Sequence, residues 1–282
     1  MSNILNDQFY TKPLVAEECL EILQKYPELF SDCIILEPSA GTGAFLEAFK
    51  KIGIEDERIL AYDIEPKHEK VIQGDFLKTS LKNVPMIAVG NPPFGKRAKL
   101  AIDFFNKCAL SCDTIAFIVP VQFRKYSVQS KLNEEFRLID DTLLNPASFE
   151  NGNKTLSVRC CFQIWTKNKN YTNLRILKKP DISDDDFIMY LYNNTPKALK
   201  FFDYDWDFAV PRQVYYDFSL RITKKEELNP KIQYMFFKGK TKEITERLMS
   251  LDYDKLSEKN TTIKGYGKAD VVAEYRRIYK CL

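Results

Sequence analysis

The chain has 282 residues, 45% of them hydrophobic and 13% aromatic, enough for one large domain or two modest ones and too apolar for a disordered tail. With 42 basic and 39 acidic residues the net charge is +3, which alone points to no partner. No window reaches the roughly 20 apolar residues that span a bilayer, MSNILNDQFYTKP lacks a basic stretch ahead of an apolar core, and a single histidine, His68, excludes His-rich metal sites.

In chain order, a helix is expected from Leu14 to Tyr26, with Pro13 in its first turn and Thr11 as its cap. The run CIILE (33–37) then reads as a strand, followed by a Gly-rich turn and a helical pattern over 44–53. Apolar runs at 59–63, 86–90, 114–120 and 137–144 alternate with helical stretches at 97–109 and 126–136, and 158–167 reads as a terminal strand. Strands buried on both faces and alternating with helices predict a doubly wound, mostly parallel α/β sheet.

Past Trp165 the pattern changes. A polar linker (NKNYTN) and an acidic turn (DISDDD) lead into aromatic-dense stretches with one helix near 241–250, so a smaller mixed domain is expected over 169–282, after a first domain over 1–168. Residues 1–165 carry 19 basic and 22 acidic residues, whereas 166–282 carry 23 and 17, an asymmetry that suggests a polyanion partner for the second part. Cys108 and Cys112 are one helical turn apart and no second Cys/His pair completes a zinc site, so no metal is expected. The seven cysteines read as reduced, mostly buried thiols of a cytoplasmic protein.

The motifs cluster in the first part. Strand 34–37 runs into Pro38-Ser39-Ala40-Gly41-Thr42-Gly43, whose glycines allow a tight turn and close approach of a ligand to a helix start. Leu46 stands where a dinucleotide fingerprint wants its third glycine or alanine, which disfavours a pyrophosphate ligand. Asp63 ends the next strand, where a carboxylate can take both ribose hydroxyls; a turn residue ahead of Pro66 is its plainer role. Gly74-Asp75-Phe76 offers an acid and an aromatic, or simply a helix cap. Asn91-Pro92-Pro93-Phe94-Gly95 follows the buried strand MIAVG as a stiff turn. The Asn91 side-chain oxygen and the Pro92 carbonyl are two acceptors suited to an –NH₂ group, with Phe94 as a stacking wall. His68, between motifs, reads as a surface residue.

EPSAGTGAF (37–45), Asp63, GDF (74–76) and NPPFG (91–95), in that order, resemble S-adenosylmethionine-dependent amino-methyltransferases, most of all the DNA adenine-N6 methyltransferases. QFYTKP (8–13) resembles the N-terminal motif of the subgroup with a C-terminal target-recognition region. The resemblance covers about residues 7–165. It implies a Rossmann-like, mostly parallel seven-stranded sheet and S-adenosylmethionine as cofactor. It assigns Tyr10, Thr11, Glu37, Gly41 and Gly43 to the methionine end, Asp63 to the ribose, and Asp75 and Phe76 to the adenine, with Pro38, Ala40 and Ile64 also among the cofactor-binding residues. Asn91, Pro92, Pro93 and Phe94 would form the catalytic pocket, Asn91 also touching the cofactor. Glu37 stands where Asp is common, with the charge kept.

The reaction so implied is direct in-line methyl transfer to adenine N6 on a flipped-out base. DNA contacts are expected from Lys231, Lys238, Lys240, Lys242, Lys264, Tyr266, Lys268, Arg276 and Arg277. The same pocket would serve adenine in RNA, a similar Asn-Pro-Pro turn serves a glutamine amide in protein, and a cofactor-binding partner subunit is a fourth reading. No nuclease cluster is evident, so a methylase alone, or one paired with a separate nuclease, is expected.

Overall fold

The computed structural model of the protein describes residues 10–81, 84–146, 149–151, 154–156, 158–213, 217–258 and 264–280. The chain divides between Lys178 and Lys179 into two units.

The first unit contains β1 (Tyr10–Thr11), α1 (Pro13–Leu23), β2 (Ile34–Glu37), α2 (Ala44–Lys51), β3 (Ile59–Asp63), β4 (Ile72–Gln73), β5 (Met86–Gly90), α3 (Lys99–Cys108), β6 (Thr114–Pro120), α4 (Tyr126–Gln129), β7 (Arg137–Leu143), β8 (Phe149–Asn151), β9 (Lys154–Leu156) and β10 (Cys160–Thr166). Seven strands form one sheet in the order β4-β3-β2-β5-β6-β10-β7, parallel except for β10, which runs antiparallel to both neighbours. The expected Rossmann-like, mostly parallel seven-stranded sheet is therefore present. β5 and β6 are buried at every position, because helices cover both faces of a parallel sheet. Where a polar side chain enters this core it is satisfied: buried Gln163 donates to Asp141 Oδ1 (3.1 Å) and accepts from Trp165 Nε1 (3.1 Å).

Helix limits differ from the sequence expectation where distant residues intervene. Lys12, not Thr11, occupies the N-cap of α1, and Thr11 is instead buried in a strand paired with β8. α1 stops at Leu23 because Pro27 disfavours helical backbone just before it. The helix expected over 126–136 ends at Gln129. Beyond it the carbonyls of Gln129, Leu132, Asn133 and Phe136 all accept from the Arg175 guanidinium at 2.7–2.9 Å, which also lies over the Trp165 ring. These bonds, with Leu174 N–H donating to Leu138 O (2.8 Å), keep the stretch past residue 168 in the first unit.

The second unit holds β11 (Phe187–Tyr192), β12 (Phe208–Pro211), β13 (Tyr234–Gly239), α5 (Lys242–Met249), α6 (Tyr253–Ser257) and α7 (Lys268–Tyr279). Its antiparallel sheet, ordered β11-β13-β12, has an apolar cluster for each set of alternating side chains, Met235 and Phe237 in one and Tyr234 and Phe236 in the other. α7 was not expected from the sequence; Val271, Val272 and Tyr275 bury its apolar stripe, and Asp270 accepts the Gly267 N–H at its start (2.8 Å). Among the described residues no helix is long and apolar enough to cross a membrane, and no group of three or more His, Cys, Asp or Glu could hold a metal.

Candidate functional site

Strand order reverses between β2 and β5: one half of the sheet grows from β2 through β3 to β4, the other from β5 through β6. In such sheets the crevice beyond the strand C-termini at that reversal is the ligand site. Here it lies between Glu37, the last residue of β2, and Asn91, the first after β5.

The Gly-rich turn after β2 adopts left-handed backbone at Gly41 (φ +52°) and Gly43 (φ +82°), which favours glycine on conformational grounds. Space demands it too. A Cβ at Gly41 would come within 3.1 Å of the Tyr10 ring, and one at Gly43 within 2.6 Å of the His68 ring. His68 is thus not a plain surface residue. Its side chain is 17% exposed, packs on Gly43 and reaches Glu47 Oε1 at 3.3 Å. Asp63, ending β3, accepts the Gly41 N–H at Oδ2 and the Glu65 N–H at Oδ1, both at 2.8 Å. A carboxylate has about four acceptor sites, so both oxygens keep capacity for a ligand hydroxyl. Ile64 beside it is 63% exposed, an apolar ledge next to the acid.

Glu37 is the least ordinary group. It is buried, its Oε2 has no hydrogen-bond partner among the described residues, and burial, then the charge of Asp63, push its carboxyl well above the usual range. It lines a cavity of about 30 Å³ with Tyr10, Thr11, Ser39, Ala40, Gly41 and Asn91, room for one water or one ammonium group. The Ser39 hydroxyl donates to the Asn91 carbonyl (3.0 Å), tying the Gly-rich turn to the Asn-Pro-Pro turn. Seven of the residues singled out from sequence (Tyr10, Thr11, Glu37, Ala40, Gly41, Asp63 and Asn91) are therefore in mutual contact or share this cavity.

Two aromatic expectations are corrected. Phe94 is 7% exposed and meets Phe149 edge-on, ring centres 6.3 Å apart, so it offers no open stacking wall here. Phe76 is 2% exposed, packed on Tyr62 and Phe104, and its ring is core rather than ligand surface. Asp75 caps the following 3₁₀ turn through the Leu77 N–H (3.1 Å) and pairs with Lys78 (3.0 Å).

The expected nucleic-acid residues of the second unit fare less well. Tyr266 is fully buried, and Lys268 is tied to the Met189 carbonyl (2.6 Å). Lys238 bonds Asp205 and Asp207 at 2.9 and 2.8 Å, which raises its pKa. Arg276 pairs with Asp181 and Asp184, and Arg277 with Glu274. Lys242 and Lys264 have acidic neighbours at 3.9 Å. Lys231 and Lys240 are exposed. Glu246, Glu258 and Glu274 lie among these residues in the sequence and signalled their pairings, whereas Asp181, Asp184, Asp205 and Asp207 come from far upstream and gave no local signal. By contrast, Ser39, His68 and the exposed pair Lys96 and Arg97 belong to or adjoin the site and were not expected there.

No protein-family model matches the chain. An rRNA methyltransferase from Streptomyces thermotolerans is 31% identical over 115 residues, 36% of this chain and 38% of that protein, so the match spans well under half of the relative. Among solved structures, the EcoKI M protein of a type I restriction enzyme aligns with TM-score 0.44 and 14% identity over 66% of this chain and 48% of its own. The 23S rRNA methyltransferase ErmE aligns with TM-score 0.40 and 16% identity over 57% and 70%.

Proposed function

We propose that the first unit binds S-adenosylmethionine and methylates the exocyclic N6 amine of adenine in DNA. The observation that carries this reading is the hydrogen-bonded union, at the sheet's reversal point, of a Gly-rich turn holding an unpaired buried carboxylate and a turn offering two acceptors. The residues suit the cofactor. Glu37 and its ammonium-sized cavity would take the amino group of the methionine moiety, Asp63 the ribose hydroxyls, Ile64 one face of the adenine and Asp75 its amine. When bound, the cofactor supplies an electrophilic methyl group on a positively charged sulfur.

The chain's own task is to prepare the acceptor nitrogen. Its lone pair is delocalised into the adenine ring, so the amine is a poor nucleophile. Asn91 Oδ1 and the Pro92 carbonyl would each accept one N–H, favouring a tetrahedral nitrogen with its lone pair localised; preorganised dipoles of this kind act at no reorganisation cost. Pro93 stiffens the turn. The methylated amine is a strong acid that loses its extra proton to water, so the turn needs no general base. Phe94 would have to leave Phe149 to stack on an incoming base.

Adenine in RNA is the second reading, favoured by the identity with an rRNA methyltransferase. A labelled-methyl assay on DNA, RNA and protein, followed by nucleoside and amino-acid analysis, separates these. Label in N6-methyldeoxyadenosine is expected; label in N6-methyladenosine alone selects the RNA reading, and label in glutamine rejects both.

A further inference from the structure

Directly after the Asn91–Gly95 turn the chain runs Lys96-Arg97-Ala98-Lys99 as a 3₁₀ turn entering α3. Arg97 and Ala98 sit at φ +56° and +60°, left-handed backbone that non-glycine residues rarely adopt. Lys96 and Arg97 are exposed, and neither side chain has a hydrogen-bond or ion-pair partner among the described residues. Lys99 pairs with Asp103 (3.0 Å). This turn packs against the Val121–Arg124 turn at the end of β6, the parallel neighbour of β5. Arg124 there pairs with Asp141 (2.8 Å), Lys125 follows it, and Val121 N–H donates to the Arg159 carbonyl (3.2 Å). Basic residues thus gather beside the Asn91 turn, and of these Lys99 and Arg124 are paired with Asp103 and Asp141 while Lys96 and Arg97 stay exposed.

We infer that Lys96 and Arg97 grip the phosphodiester backbone of the DNA strand carrying the target adenine, so that the principal phosphate contact is made by the first unit. This rests on reading the Asn91 turn as the base pocket. A base drawn out of its stack stays tethered to its own phosphates, which must then lie at the pocket rim, within reach of side chains a few positions beyond Asn91. The Arg97 fork matches a phosphate's paired oxygens and Lys96 adds a compact point charge. In the second unit, where sequence charge alone pointed, Lys238, Arg276 and Arg277 are engaged by its own carboxylates.

The test is equilibrium binding of fluorescein-labelled, adenine-containing DNA duplexes across a KCl series, comparing wild type with Lys96→Gln/Arg97→Gln. Loss of two phosphate contacts predicts about tenfold weaker binding near 0.1 M salt and a log–log salt slope shallower by about 2. S-adenosylhomocysteine binding by calorimetry and the melting temperature are expected to stay unchanged. A double variant that binds DNA with wild-type affinity and salt slope overturns the inference, as does wild-type protein that binds no DNA duplex. In either case S-adenosylhomocysteine binding by the wild type reports separately on the cofactor reading. An affinity loss seen with an RNA of the same sequence, and not with DNA, overturns the choice of DNA.

Discussion

Glu37 concentrates the conflict between stability and binding that active sites carry. Burial and then Asp63 disfavour the ionised form of this carboxyl, whereas the cofactor's ammonium would favour it, so cofactor binding is linked to release of a proton. Cofactor affinity should therefore rise with pH through the elevated titration range of Glu37, and calorimetry in buffers of different ionisation enthalpy should detect the released proton. For the free protein the sign is opposite. A carboxyl whose pKa is raised by folding stabilises the fold below its unfolded value, about 4.3, and that contribution fades as pH rises. Glu37→Gln should accordingly raise the melting temperature of the free protein at neutral pH by a few degrees. The same substitution should weaken cofactor binding by about tenfold to hundredfold, the worth of a charged hydrogen bond. Gly43→Ala has no such compensation: left-handed backbone and the His68 ring within 2.6 Å predict a loss of about 2 kcal/mol, read from denaturant unfolding.

At the scale of elements, the strands were legible because burial on both faces leaves an unbroken apolar run; β5 and β6 begin and end where those runs do. The Gly-rich and Asn-Pro-Pro turns were legible because few residue types satisfy such backbone. What escaped were features set by residues far apart in sequence. The four carbonyls that end α4 and its following turn answer to Arg175, some forty positions away, and the packing of Phe94 answers to Phe149. His68 over Gly43 is of the same kind. Arg175→Ala should leave those carbonyls half-buried and unbonded, at a cost of about 3 kcal/mol, measurable as a lowered urea midpoint with the cofactor site intact.

At the scale of the whole molecule, the charge difference between the two parts of the sequence is real but its meaning changes with structure. The acids of the second unit serve its own fold. Burial alone would raise the Asp184 carboxyl, yet hydrogen bonds from Lys280 and Arg276 hold it at about 2. A carboxyl lowered by folding stabilises above its unfolded value, about 3.9, and loses that contribution as pH falls toward 2. Asp184→Asn should thus cost about 2 kcal/mol at neutral pH and little at pH 2, seen by following unfolding across that range. The first unit, with 23 basic and 22 acidic residues up to Lys178, is nearly neutral, and its Lys96 and Arg97 stand exposed beside the turn that would hold the base. The most direct test of the central claim is to measure cofactor binding and methyl transfer separately in Asn91→Ala. With labelled S-adenosylmethionine and DNA, the wild type should yield N6-methyldeoxyadenosine. The variant should keep S-adenosylhomocysteine binding within a fewfold while transfer falls at least about a hundredfold, the scale of one lost preorganised dipole. Equal transfer by variant and wild type, or no labelled adenine from the wild type, would contradict the account.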